Sequence, residues 1–188
     1  MSAFDRFAPF IQDYIYAHDW ECLRGIQVAA ADAIFNTDCN ILLSASTASG
    51  KTEAAFFPIL TEFYENPPLS VGALYIADIP VWRWHGDVSA SQKARLVKHP
   101  SGILQITPES LESLLLHKHG AVGKMFGDLR YIVVDEVHSL LRGDRGGQTM
   151  CLIERLSRLS GSNPRRIGLS ATIGDPQAVG AFLSAGTN

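Results

Sequence analysis

Short, wholly apolar blocks punctuate this chain, and between them apolar residues recur every three or four positions. The first pattern suits strands buried on both faces, the second amphipathic helices. Blocks at 40–43, 71–76, 102–106, 129–134 and 167–169 predict strands, and 80–84 reads as another. Helical spacing predicts helices over 7–18, in an alanine-rich stretch ending near Asn36, and over 53–64, 89–98, 148–160 and 175–183. Asn66-Pro67-Pro68 stops the 53–64 helix, because proline cannot continue it. Thr107 suits an N-cap, Pro108 a first helical position and Glu109 a first turn, so another helix starts there and runs to His117 and His119. Strand alternating with helix predicts an α/β domain with a mostly parallel central sheet and helices on both faces. One interval breaks the rhythm. Only Ala77, Asp78 and Ile79 separate the strand ending at Ile76 from the block at 80–84. A parallel crossover needs roughly a dozen residues, so a segment is expected to be absent near 77–78, as a true deletion or an unresolved loop.

At 188 residues the chain fits one domain. With 46% hydrophobic and 19% charged residues it is globular rather than disordered. A formal net charge of -3 provides no global positive field, so any nucleic acid would have to be held by local contacts. Lys93, Arg95, Lys98 and His99 read as a solvated helix face. Cys22, Cys39 and Cys151 are scattered without a C-x-x-C pair, and are expected to be buried, reduced thiols of a cytoplasmic protein rather than disulfides or zinc ligands. His117 and His119 lie too near a chain reversal to suggest a metal pair. The start has no secretory pattern, and no stretch approaches the ~18 apolar residues of a membrane span.

The chemistry concentrates where strands end. Ala45-Ser46-Thr47-Ala48-Ser49-Gly50-Lys51-Thr52 follows an apolar strand and opens a helix, the context of a phosphate-binding loop. Small side chains let backbone N–H groups surround an anion, and the helix N-terminus adds partial positive charge. Lys51 is placed to reach outer phosphates, and the Thr52 hydroxyl to hold Mg²⁺. Asp135 and Glu136 close the 129–134 strand, where open α/β sheets bind ligands. Asp135 suits a Mg²⁺ ligand, and Glu136 a base that orients and deprotonates water. Gln27, shortly before the loop, offers the donor and acceptor needed to read an adenine edge.

Taken in order, Gln27, 45–52, 107–109, 135–138 and 170–172 resemble the first RecA-like, ATP-binding domain of a superfamily 2 DExH/DEAD-box helicase, of Lhr-like or Ski2-like flavour. The resemblance implies a RecA-like P-loop NTPase fold spanning 1–188, with a helical lead-in over 1–36, and an ATP-dependent enzyme acting on DNA or RNA, single-stranded or duplex. It implies that Gln27 matches the adenine-reading glutamine, Lys51 and Thr52 the Walker A pair, and Asp135 and Glu136 the Walker B pair. His138, Ser170 and Thr172 resemble residues that couple the nucleotide to the nucleic-acid groove, and Thr107, Pro108 and Glu109 those that touch its backbone. Ala45 stands where the phosphate-loop pattern has its first glycine, a departure the family tolerates. The turn at 84–87 also resembles these relatives. By the same resemblance, the proline-containing stretch that relatives carry after their second strand and a second RecA-like domain with its arginine finger are expected to be absent from these 188 residues. The chain alone is therefore expected to bind ATP weakly, hydrolyse it slowly and unwind nothing. Rival readings are a P-loop ATPase or kinase indifferent to nucleic acid, and a non-catalytic nucleotide-dependent binding module.

Overall fold

The computed structural model describes residues 2–77, 98–140, 143–171 and 175–185. A 3₁₀ turn (Phe4–Arg6) precedes α1 (Pro9–Ala17) and α2 (Gly25–Asn36), followed by β1 (Ile41–Ser44) and α3 (Lys51–Glu65). Next come β2 (Val71–Ile76), β3 (Gly102–Ile106), α4 (Pro108–His117), α5 (His119–Phe126) and β4 (Tyr131–Val134). The chain continues through α6 (Val137–Leu140), α7 (Asp144–Ser160), β5 (Arg165–Ser170) and α8 (Pro176–Leu183). The strand expected at 80–84, the turn at 84–87, the body of the 89–98 helix, the 77–78 junction and Thr172 lie outside the described residues.

Among the described residues, five strands form one sheet in the order β1-β5-β4-β2-β3, and every neighbouring pair is parallel. The expected α/β class is thus present. Alternation along the strands builds two cores. Tyr131, Val133, Leu43, Ile167 and Leu169 pack with α2 and α3 on one face. Ile132, Val134, Leu74, Leu104 and Ile106 pack with α4, α5, α7 and α8 on the other. A third cluster joins α1 to α2 and α3 through Phe7, Ile11, Ala31 and Phe57. Burial on both faces explains the unbroken apolar runs of the central strands.

Several expectations are corrected. His119 does not close the helix begun at Pro108. A second helix, α5, starts there and buries Val122, Met125 and Phe126. The helix expected over 148–160 starts earlier, since residues 144–147 form the first turn of α7. Glycine disfavours helix on its own, but a Cβ at Gly146 would lie 1.7 Å from the Leu140 carbonyl oxygen. The close approach of α6 to α7 is therefore possible only with glycine there. The three cysteines are free, as expected, but exposed rather than buried.

One buried charge ties the last elements together. Arg166 on β5 donates to the Leu183 and Ala185 carbonyls at 3.0 and 2.6 Å, and to the Glu154 carboxylate on α7. It caps the end of α8, whose final carbonyls lack helical partners.

Candidate nucleotide and magnesium site

The loop after β1 is held at its start by Ala45 N–H donating to Ser170 O at 3.2 Å. It then takes two left-handed residues, Ala48 at φ 59 and Gly50 at φ 81. The second needs glycine twice over, since a Cβ at Gly50 would also sit 2.7 Å from Gln27 Nε2. Helix α3 begins at Lys51, so its first N–H groups lack helical partners beside the loop. Lys51 Nζ donates to the Ala45 and Ser46 carbonyls at 2.8 and 2.9 Å. Arg24 donates to the Ala48 carbonyl from the start of α2.

From β4 comes the acidic side. Asp135 prolongs the face of β4 that carries Tyr131 and Val133, toward α3. Its Oδ1 accepts the Glu136 N–H at 2.9 Å, and its Oδ2 accepts the Tyr75 hydroxyl at 2.5 Å. Burial first, then the bond to Asp135 and its charge, push the Tyr75 phenol far above its usual range, so it stays a proton donor. Glu136 itself has a left-handed backbone, φ 46, which a non-glycine residue adopts only under constraint.

Both sides meet in one cleft of about 380 Å³ lined by Trp20, Arg24, 47–53, Asp135 and Glu136. Lys51, Thr52 and the two acids therefore converge at the carboxyl edge of the sheet. Thr52 and Asp135 both line the cleft and carry oxygen atoms, the donor type that suits Mg²⁺. Among the described residues, Ser49 Oγ and Gln27 Nε2 find no hydrogen-bond partner although both are buried. Gln27 is fully buried behind the loop, its Oε1 accepting the Arg24 N–H at 2.9 Å, and it does not line the cleft.

His138 Nδ1 lies 3.0 Å from Ser170 Oγ and 3.3 Å from Glu136 Oε2, linking the acid to the buried end of β5. Thr107, Pro108 and Glu109 stand apart from the cleft, after β3. Thr107 caps α4 by accepting the Ser110 N–H at 3.3 Å, and Pro108 is buried at its first turn. Glu109 accepts from Arg145 at 2.8 Å. Burial raises the Glu109 carboxyl, but its backbone hydrogen bond, the Arg145 charge and Thr107 together hold it below the usual range. A larger hollow, about 820 Å³, lies at the amino ends of the strands around 34–40, Arg130 and Arg165. Its cations are spent: Arg165 caps the end of α2 through the Ala33 and Ile34 carbonyls, and Arg130 pairs with Asp128.

Sequence reasoning missed Tyr75, Arg24 and Trp20. A phenol inside an otherwise apolar buried strand was the available signal for the first. Nothing in the spacing marked the other two as cleft residues.

Comparison with known proteins bears on the same residues. The family model described as "DEAD/DEAH box helicase" matches 24–80 and 76–179. The ATP-dependent helicase Lhr-Core of Methanothermobacter thermautotrophicus is 32% identical over 180 aligned residues, covering 77% of this chain and 20% of that protein. The Mycobacterium smegmatis helicase Lhr, solved bound to ssDNA and AMP-PNP, superposes with a TM-score of 0.82 at 25% identity, over 100% of this chain and 28% of its own. The DUF1998 helicase MrfA bound to DNA superposes at 0.79, also at 25% identity, over 97% of this chain and 29% of its own. The chain thus spans about a fifth of the archaeal relative's length. Because the family model runs through the phosphate loop, the paired acids and the end of β5, this chain belongs to the DEAD/DEAH box helicase family.

Proposed function

We propose that this chain is the ATP-binding domain of an ATP-dependent helicase or translocase acting on DNA or RNA. The observation that carries this is the shared cleft, in which Lys51 and Thr52 from α3 face Asp135 and Glu136 from β4. The loop N–H groups and Lys51 bind and orient the triphosphate. Trp20 and Arg24 border its base side, with Gln27 supporting the loop from behind. Glu136 orients the attacking water and takes its proton. Thr52 and Asp135 would hold Mg²⁺, which when bound neutralises charge developing on the outer phosphates. Through its shared Nδ1, His138 connects Glu136 to Ser170 and so to the segment bearing Thr172. Thr107, Pro108 and Glu109 lie at a helix N-terminus suited to a phosphate backbone.

The reading extends to a longer parent with a second RecA-like domain, whose arginine would add roughly 10³–10⁵ in turnover. A cytoplasmic location belongs to it as well. The family match falls into two stretches that meet at 76–80, which supports an absent segment near 77–78. In the parent, ATP turnover should rise on adding single-stranded DNA or RNA. Turnover indifferent to both would overturn the helicase reading in favour of a P-loop ATPase of another kind.

A further inference from the structure

We infer that Tyr75 is a positioning residue for the magnesium side of the cleft, its phenol fixing the Asp135 carboxylate. The inference rests on the ATP reading above and adds to it a residue on a strand that carries no part of the phosphate loop or the acidic pair.

Three observations converge. First, β2 pairs with β4 so that Tyr75 lies opposite Val133, two residues before Asp135 on the same face. Second, the Tyr75 ring packs edge-on against Phe56 of α3, with centroids 5.4 Å apart and planes at 87°. The phenol is therefore held between the helix that bears Thr52 and the strand that bears Asp135. Third, each Asp135 oxygen has one fixed donor, Tyr75 on Oδ2 and Glu136 N–H on Oδ1. A carboxylate with a donor on each oxygen cannot turn about its terminal bond without losing both. The acceptor capacity it has left is then presented in one direction.

Packing alone does not account for the hydroxyl. Phenylalanine, valine or leucine would fill this half-buried strand position equally well and would leave no polar group to satisfy. The oxygen is matched instead to Asp135, one of the two residues assigned to the metal. Partners of this kind, outside the ligand set, commonly change metal affinity by roughly 10–100-fold when removed.

The test uses the full chain, a fluorescent ATP analogue and Tyr75→Phe, which keeps the ring and deletes the oxygen. Analogue binding is titrated with MgCl₂ and, separately, measured in EDTA. The wild-type chain should bind more tightly as Mg²⁺ is added. The variant should need roughly tenfold more Mg²⁺ for half of that gain, with EDTA binding unchanged. Mn²⁺ titration read by electron paramagnetic resonance should show the same loss in bound metal. An unshifted Mg²⁺ midpoint in a variant whose wild type responds overturns the inference and leaves the ATP reading intact. Equal losses with and without metal also overturn it, since they report packing. No Mg²⁺ response in the wild type overturns the ATP reading and this inference with it.

Discussion

Gly50 sits where a left-handed backbone and a near neighbour coincide. Alanine there pays about 1–2 kcal/mol for its backbone, and its Cβ must also displace the buried Gln27 amide. Gly50→Ala should lower the urea midpoint and weaken ATP-analogue binding together, both measurable on one preparation. The glycine and lysine were legible because a phosphate loop has a local signature. Gln27 was legible only as a residue near the loop. The fully buried position beneath Gly50 depends on how α2 packs on α3, and local sequence does not encode that. Tyr75 escaped notice for a related reason. Its role depends on β2 lying beside β4, and non-consecutive strand order leaves no trace in the spacing of one strand.

Among the elements, the joints carry the information. Arg166 is buried between α7, β5 and the end of α8, and removing it strands Glu154 and two carbonyls. Breaking such a pair costs about 3 kcal/mol, so Arg166→Ala should lower the melting temperature by roughly 6–12 °C. A second joint lies at the amino edge, where Asp128 accepts from Arg130 and from the Leu69 N–H at 2.8 Å. The Arg130 bonds hold its carboxyl below the usual range. A depressed carboxylate stabilises the fold above its unfolded value, and that contribution is lost as pH falls through the folded value. Denaturant midpoints of wild type and Asp128→Asn should therefore differ above about pH 3.8 and converge below it. The strands and long helices could be read from periodicity because the sheet is covered on both faces. Helix α6 is too short for a period to show, and the first turn of α7 carries Gly146, which only the contact at Leu140 explains.

For the whole molecule, the prediction concerns the parent. Glu136→Gln should keep ATP binding while lowering nucleic-acid-stimulated turnover by at least about 10²-fold, as loss of a general base does. Unchanged turnover would favour a non-catalytic role. Binding to single strands should weaken with salt, with a log–log slope of roughly -0.7 for each phosphate neutralised. The order of motifs made this scale readable from sequence, whereas the cleft itself appears only when β1, β5 and β4 are placed side by side. The bonds from Lys51 to the Ala45 and Ser46 carbonyls add a last consequence. The loop brings its own competitor: an incoming anion must draw the amine away from two acceptors already engaged. A chloride or a lone sulfate offers little in exchange, whereas a polyphosphate offers several charged oxygens at once. Discrimination against the simple anions of the surrounding solution thus starts in the loop's own backbone.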